Sequence, residues 1–214
     1  ASGSGKTTLL NCIATIDAPT SGTVLINGQD VTKLKSRALA DFRREELGFV
    51  FQNSNLLDTL TCRENIALPL TIGRVPAGEI SARVMSMAST LGIEGILDKF
   101  PYQVSGGQRQ RVAAARAMIG QPKLVLADEP TGALDSKNAK LLLECFEMLN
   151  KQLDATILMV THDSFAASYC KRVVFIRDGR VFTEVVRGDA TRKQFFDDIM
   201  RVVAVIGGDE TDDR

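Results

Sequence analysis

Hydrophobic residues along the chain follow two alternating patterns. Short runs rich in Val, Ile, Leu and Phe, typical of buried strands, are separated by longer stretches whose apolar positions recur at helical spacing. This alternation predicts an α/β domain with a mostly parallel sheet. The predicted strands are residues 22–26, 47–51, 124–127, 156–160, 172–176 and 181–186. The predicted helices are residues 6–14, 36–45, 78–91, 106–120, 137–153 and 192–203.

The pattern predicts one domain with an insertion. Between the second and third predicted strands the chain has a helical pattern and no strong strand signal. We interpret residues 53–119 as a helical subdomain inserted into a core formed by residues 1–52 and 120–190. Residues 191–214 add a helix and an acidic tail. Asp178-Gly179 predicts a hairpin turn between the last two strands.

Composition limits the class of protein further. The 214 residues include 26 basic and 26 acidic ones, and this zero formal net charge argues against a protein that coats nucleic acid. The four cysteines form no C-x-x-C pair, so we predict neither a zinc site nor disulfides and expect a reducing compartment. No apolar run approaches the roughly 18 residues of a membrane span, and no signal peptide is recognised, so we expect no direct membrane insertion.

The beginning of the chain predicts a phosphate-binding loop. It fills seven of the eight places of G-x-x-x-x-G-K-[ST], and the missing first glycine leads us to expect that the protein begins earlier. In such a loop backbone N–H groups wrap the phosphates, Lys6 bridges the β- and γ-phosphates, and the Thr7 hydroxyl binds Mg²⁺. A flexible Gly/Ser terminus is the alternative, which the apolar helix face directly after the loop disfavours. The predicted ATP-binding residues of the loop are Ser2, Gly3, Ser4, Gly5, Lys6, Thr7 and Thr8.

Two carboxylates follow the apolar strand at 124–127. Opposite a phosphate loop, Asp128 would hold Mg²⁺ through water, and Glu129 would activate the attacking water as general base. Acidic residues at a strand end also form turns, so the pair alone is uninformative. The apolar strand and the phosphate loop together favour the catalytic interpretation.

A second anion-binding helix start is predicted in mid-chain. Ser105, Gly106, Gly107 and Gln108 precede a strong helix former, and Ser-Gly-Gly there would direct N–H groups and the positive helix end at an anion. An ordinary N-capped helix is the alternative. One phosphate loop and one separate Ser-Gly-Gly start indicate two half-sites.

Five motifs occur in a fixed order, at residues 2–8, 52, 104–108, 126–135 and 160–163. Over nearly the whole chain they resemble the ATPase subunits of ABC transporters. The resemblance implies a P-loop NTPase (RecA-like) core with an inserted α-helical subdomain, ATP and Mg²⁺ as cofactors, and a head-to-tail homodimer that encloses two ATPs. Each ATP would lie between the phosphate loop of one subunit and the Ser-Gly-Gly segment of the other.

The resemblance also implies roles for three further side chains. Gln52 corresponds to the Q-loop residue, which senses nucleotide and Mg²⁺ and joins the subdomain to the core. Asp135 corresponds to the aspartate that couples the two sites across the interface, and it belongs to the predicted ATP-binding set. His162, the single histidine, corresponds to the switch residue at the γ-phosphate. A lone histidine is more often structural, but this one follows a strand at the edge where open α/β sheets bind ligands. The predicted catalytic set is Glu129, His162 and Lys6.

Two features depart from the family pattern. The Ser-Gly-Gly segment starts with Val104, where the family usually has Leu, and this conservative change puts little in doubt. The aromatic residue that stacks on adenine is expected upstream of the phosphate loop, outside these residues. We therefore expect weak ATP binding by this stretch alone.

Three classes of protein compete for these motifs. A transporter motor is favoured over a soluble ABC ATPase of DNA repair or the ribosome, because only 99 positions without a heptad run separate Lys6 from Ser105 and one ATPase half is present. Neutral charge agrees, and we predict no nucleic-acid partner. A metabolic kinase would explain the phosphate loop but leaves the Ser-Gly-Gly segment unexplained.

The subfamily is indicated by the segments 42–70 and 195–200. The first is similar to exporters of the macrolide and lipoprotein-release type, and together they look closest to bacitracin-type antimicrobial-peptide transporters. This implies an integral membrane permease partner and a cytoplasmic position, peripheral at the inner face of the membrane. The same residues could simply pack the subdomain. We hypothesise that residues 49–72 receive the permease, with apolar side chains of Phe49, Phe51, Leu56, Leu57 and Leu60.

Overall fold

The structure, a computed structural model, describes residues 4–208. Its helices are α1 (Lys6–Ile13), α2 (Ser36–Glu46), α3 (Cys62–Ile72), α4 (Ala77–Leu91), α5 (Gly106–Met118), α6 (Ser136–Leu153), α7 (Ser164–Ala167) and α8 (Arg192–Gly208). Its strands are β1 (Leu25–Ile26), β2 (Gln29–Asp30), β3 (Leu47–Phe51), β4 (Leu124–Asp128), β5 (Thr156–Val160), β6 (Arg172–Arg177) and β7 (Arg180–Val186). The α/β class that the hydrophobic pattern predicts is confirmed.

A parallel three-stranded sheet forms the centre of the core. Its strand order is β3-β4-β5, and Phe51, Asp128 and Val160 lie in register at the last position of each strand. The strands are apolar at successive positions because both faces are covered: Leu126 packs against α1, whereas Val125 belongs to the cluster that includes α5 and α6. The carboxyl ends of all three strands therefore meet at one edge of the sheet.

Two antiparallel hairpins accompany this sheet. β6 and β7 are joined by Asp178 and Gly179, whose φ angles of 51° and 73° are those of the tight turn that Asp-Gly predicts. The other hairpin pairs β1 with β2. The predicted strand at 22–26 is wrong at its start, because Gly22 has a φ of 89° and only Leu25–Ile26 finds a pairing partner.

Helices α3, α4 and α5 follow one another between β3 and β4, where the sequence predicts the helical insertion. The sequence predicts a helical pattern here but no separate helix at α3, because Pro69 interrupts the signal. Helix α3 nevertheless begins with a capping box, in which Glu64 N–H donates to Thr61 Oγ1 (3.2 Å) and Thr61 N–H donates to Glu64 Oε2 (2.8 Å).

Helix α5 is the buried member of this group and lies directly against β3. A β-carbon on Gly48 would overlap the carbonyl of Ala117, so only glycine permits this approach. Met118 and Val112 on α5 share one continuous apolar cluster with Val50 on β3. The helical segment and the sheet are therefore packed through one common core.

The C-terminal helix α8 is longer than the predicted 192–203. Its residues Phe195 and Ile199 are buried against Ala167 of α7, and the helix continues to Gly208. The acidic tail at 209–214 lies outside the described residues. Within residues 4–208, no helix combines the length and apolar character needed to traverse a bilayer.

Candidate active site

The start of α1 holds the residues of the predicted phosphate loop that the structure describes. Gly5 precedes the helix with a φ of 82°, a left-handed conformation that favours glycine. Gly5 offers no side chain to cap the helix, and first-turn N–H groups at such an end suit an anion. The Lys6 ammonium donates to Ser4 Oγ at 2.7 Å. Thr7 and Thr8 are exposed in the first turn, whereas Ser2 and Gly3 lie outside the described residues.

The carboxyl edge of the parallel sheet brings together four of the predicted site residues. Gln52 directly follows β3, Asp128 ends β4 with Glu129 next to it, and His162 lies just beyond β5. The side chain of Gln52 reaches the turn after Glu129: a β-carbon on Gly132 would lie 2.8 Å from Gln52 Nε2. Parallel pairing thus gathers residues that are more than a hundred positions apart in the chain.

Glu129 has an unusual backbone conformation. Its φ is 44°, in the left-handed region that costs a non-glycine residue about 1–2 kcal/mol. Two backbone hydrogen bonds hold it there: Glu129 N–H donates to the Val160 carbonyl (2.9 Å), and Gly132 N–H donates to the Glu129 carbonyl (3.0 Å). Sheet pairing and the following turn therefore fix the direction in which this side chain leaves the strand.

Glu129 and His162 contact each other through their side chains. His162 Nδ1 lies 2.8 Å from Glu129 Oε1. An ionised carboxylate can only accept, so Nδ1 carries the proton in this pair and Nε2 is left for another partner. The carboxyl side chain is 21% exposed and the imidazole 74% exposed, so the histidine reaches solvent while the glutamate lies beneath it.

Asp128 is half-buried at the end of β4 and has a perturbed acidity. Burial, and secondarily the charge of Glu129, raise the pKa of the Asp128 carboxyl above its ordinary value. The two adjacent negative carboxylates repel each other, and a divalent cation that binds oxygen ligands would relieve this repulsion. Within residues 4–208 no three His, Cys, Asp or Glu side chains form a metal cage. This donor set fits Mg²⁺, which commonly binds one or two carboxylates together with phosphate oxygens.

The Ser-Gly-Gly segment forms the first turn of α5. Gln108 N–H donates to Ser105 Oγ (3.3 Å) and Ser105 N–H donates to Gln108 Oε1 (2.9 Å), a capping box. Gly107 is buried beneath Asn138 of α6, whose amide a β-carbon at position 107 would overlap. Gly106 is half-buried near Leu134.

Asp135 holds Asn138 in that position. Asn138 N–H donates to Asp135 Oδ1 at 2.9 Å, and the Asn138 side-chain amide donates to Oδ2 at 2.7 Å. These bonds, the backbone one first, lower the pKa of the Asp135 carboxyl. Asp135 thus caps α6 and, through Asn138, links the start of α6 to the Ser-Gly-Gly turn of the same chain.

Comparison with known proteins identifies the family. The sequence model of the ABC transporter family matches residues 1–132. The chain is 53% identical over 212 residues to the bacitracin export ATP-binding protein BceA of Halalkalibacterium halodurans, covering 99% of this chain and 84% of that protein. The chain belongs to the ABC transporter family. It is an ATP-binding and ATP-hydrolysing motor subunit of such a transporter.

Other ABC transporter proteins agree with this assignment. The uncharacterized ABC transporter ATP-binding protein YvcR of Bacillus subtilis is 58% identical, over 97% of this chain and 80% of its own length. The ABC transporter ATP-binding protein YxdL of the same organism is 54% identical, over 99% of this chain and 82% of its own length. Two dimeric structures of the bacterial ABC cassette MJ0796, one bound to ADP and Pi, are 39% identical. They superpose with TM-scores of 0.78 and 0.79 over 87% of this chain and 82% of theirs.

These relatives bear on the classes that the sequence leaves open. The predicted P-loop NTPase fold and the predicted ATPase activity of a transporter motor are confirmed. None of the relatives reported above is a DNA-repair or ribosome-acting protein. The roles of the individual site residues, and the division into core and subdomain at the predicted boundaries, stay predictions.

Two residues of this ABC subunit, Gln110 and Arg116, belong to the site's surroundings but are absent from the sequence prediction. Both lie on α5: Gln110 bonds to the carbonyl of Phe51 at the end of β3, and Arg116 bonds to the carbonyl of Ser54 in the loop that follows. A signal for Gln110 exists in the sequence: it shares one helical face with Gly107 and Ala114, a face that is otherwise apolar. A polar residue on such a face indicates buried hydrogen bonds.

Proposed function

We propose that this subunit drives the export of antimicrobial peptides through a separate membrane permease. The observation that carries the proposal is the 53% identity to a bacitracin export ATP-binding protein over almost the whole chain. The protein would then be cytoplasmic and attached to the inner face of the membrane through the permease. Peptide selection would belong to the permease, because the site described above is built for nucleotide.

The sheet edge would perform the hydrolysis. Lys6 and the phosphate loop would bind the phosphates, and Glu129 would take a proton from the attacking water. His162, held by Glu129 through Nδ1, would donate from Nε2–H to the γ-phosphate in its doubly protonated form, because phosphate oxygens only accept. Asp128, with Thr7 and Gln52, would hold Mg²⁺, which neutralises the charge that develops on the phosphoryl group.

A second copy of the chain would complete each site. The Ser-Gly-Gly turn of one copy would cover the phosphates bound at Lys6 of the other, and Asp135 would link the two sites. Similarity to dimeric ABC cassettes, one of them bound to ADP and Pi, supports this arrangement. The Ser105–Gln108 capping box supports it further, because it fixes the backbone of the turn in advance.

The permease would dock on the loop between β3 and α3. Leu57 is 46% exposed there, whereas Leu56 packs against the core, so Leu57 is the better contact. The loop is held from below by the fully buried amide of Asn65, which accepts from Leu57 N–H (2.8 Å) and donates to the carbonyls of Leu57 (3.0 Å) and Leu60 (3.1 Å). An apolar side chain on a rigid loop favours a specific protein contact.

Bacitracin tolerance tests both the function and the docking surface. A bacterial host that lacks peptide-antibiotic transporters should tolerate more bacitracin when it receives this protein and its permease. Leu57→Asp should remove the gain and leave nucleotide affinity unchanged, because it places a charge in the apolar contact. Leu141→Asp, at an exposed leucine of α6, is the matched control and should keep the gain.

Two results would contradict the proposal. If the parent confers no tolerance while the purified protein hydrolyses ATP, peptide export is wrong and only the motor activity stands. If Leu57→Asp confers as much tolerance as Leu141→Asp, the permease docks elsewhere.

A further inference from the structure

Gln110 lies on α5 at a point where two separate loops converge. Its side chain is 2% exposed. Gln110 Nε2 donates to the carbonyl of Phe51 at 2.7 Å and to the carbonyl of Pro130 at 2.8 Å, and it lies 3.3 Å from the carbonyl of Gln52. An amide nitrogen carries two hydrogens, so the two short bonds use both of them.

The two short bonds connect the residues proposed for catalysis. Phe51 directly precedes Gln52, and Pro130 directly follows Glu129. One side chain therefore joins the end of β3 to the turn after β4, across 59 and 20 positions of sequence. The Gln52 side chain contacts the same turn, because it lies over Gly132.

Arg116 holds the next part of the loop after β3. Its guanidinium donates to the carbonyl of Ser54 at 2.9 Å and to the carbonyl of Asn55 at 2.7 Å. Ser54 and Asn55 have φ angles of 59° and 45°, so the loop turns through two left-handed residues at this point. A planar guanidinium can bond two neighbouring oxygens at once, which fixes such a turn.

Helix α5 therefore bonds to the end of β3 through Gln110 and to the loop after β3 through Arg116. Its first turn carries Ser105, Gln110 follows in the second turn, and Arg116 lies near its end. Gly48 brings β3 into direct contact with the same helix. Movement of α5 as a rigid body would displace the carbonyls of Phe51 and Pro130 or break these bonds.

We propose that Gln110 is a positioning residue for the hydrolysis, and that Gln110 and Arg116 together make α5, the loop after β3 and the Glu129 turn one mechanical unit. The inference rests on the proposed roles of Glu129 and Gln52. Gln110 contacts neither nucleotide nor water in this scheme. It fixes the positions of Gln52 and Glu129 when the Ser-Gly-Gly turn of a second copy covers the nucleotide.

Steady-state ATP hydrolysis by the full protein with Mg²⁺ tests the proposal. Gln110→Met keeps the length and volume of the side chain and removes both donors. We expect kcat to fall by about tenfold to a hundredfold, since small misplacements of reacting groups have effects of that size, while KM for ATP stays within about twofold. Gln152→Met, at an exposed glutamine of α6, is the matched control and should keep parental kcat and KM.

Arg116→Lys gives a second, independent variant on the same element. It keeps the positive charge but cannot bond both carbonyls in one plane, so we expect a smaller fall in kcat with the same unchanged KM. If Gln110→Met shows no cooperative thermal unfolding and is therefore not folded, Arg116→Lys is the variant that tests the proposal. Parental kcat in Gln110→Met, or in Arg116→Lys when it alone is folded, would overturn the proposal. A lower kcat/KM that comes from a raised KM with unchanged kcat would also overturn it.

Glu129→Gln in the same assay separates this inference from the proposed function. Hydrolysis by Glu129→Gln at the parental rate would remove the assigned base, whatever Gln110 does. Loss of hydrolysis in Glu129→Gln together with parental kcat in Gln110→Met would leave the base in place and reject only the positioning role.

Discussion

Asp128 and Glu129 are neighbours in sequence, but their surroundings give them different chemistry. Asp128 ends β4 and is partly buried, which raises the pKa of its carboxyl, whereas Glu129 turns away at a left-handed φ and contacts His162. These surroundings suit the proposed roles, in which Asp128 holds Mg²⁺ and Glu129 takes a proton from water. The left-handed backbone at Glu129 directs its side chain to His162.

The raised pKa of Asp128 predicts how stability depends on pH. The folded pKa lies above the ordinary 3.8, so ionised Asp128 disfavours the metal-free fold once pH exceeds that value. Asp128→Asn should therefore unfold at higher denaturant concentration than the parent at pH 7, and this advantage should vanish near pH 4. Asp189→Asn, at an exposed aspartate, should show no such difference.

Chemical denaturation at several pH values, with chelator present, measures this effect. Added Mg²⁺ and nucleotide should reverse the order, because the parent gains binding energy that the Asn variant lacks. An Asp128→Asn protein less stable than the parent at neutral pH without metal would contradict the burial argument.

At the scale of elements, α3 shows how local bonds can outweigh an unfavourable sequence signal. Pro69 lies inside the helix, yet the capping box at Thr61 starts it and buried Ile66 anchors it to the core. The same helix carries Asn65, which fixes the loop that presents Leu57. Its first turn therefore matters for stability and for the proposed permease contact together.

Thr61→Ala should lower the free energy of unfolding by about 1 kcal/mol, because it removes the oxygen that accepts from Glu64 N–H. Thr71→Ala in the same helix is the control: its hydroxyl bonds only to the Ala67 carbonyl on an exposed face and should change stability little. Denaturant titration of both variants measures the difference. Equal stabilities for the two variants would show that the box contributes nothing.

At the scale of the whole molecule, the proposed hydrolytic unit is larger than one chain. Ser105 and Gln108 form a capping box and Gly107 is buried beneath Asn138, so this turn is held by contacts within its own chain. A preorganised turn suits association with a second copy, because less ordering is required on binding.

Glu129→Gln should stabilise the ATP-bound dimer. Binding groups remain while water activation is lost, so ATP should accumulate in the site and the molecular mass measured by light scattering should double in Mg-ATP. A Glu129→Gln, Lys6→Ala double variant should stay monomeric, because it loses the main phosphate contact. A Glu129→Gln protein that remains monomeric at saturating ATP would contradict the nucleotide-enclosed dimer.

The sequence predicts most elements because their signals are local. Helices α2, α4 and α6 and strands β3 and β5 agree with the predicted ranges to within about a residue, as expected for strongly periodic segments. The prediction is incomplete at α3, which has a proline inside it, and at α8, which continues past the predicted end to Gly208.

The phosphate loop, the Asp128–Glu129 pair and the Ser-Gly-Gly helix start are readable from the chain itself, because each is a short contiguous motif. The roles of Gln52, Asp135 and His162 come from the family resemblance. What only the tertiary structure decided is how they meet. Parallel register brings Gln52, Glu129 and His162 to one sheet edge, and Gln110 ties Phe51 to Pro130. The sequence cannot show which residue accepts such a bond across 59 positions, since the acceptor is a backbone carbonyl that every residue carries.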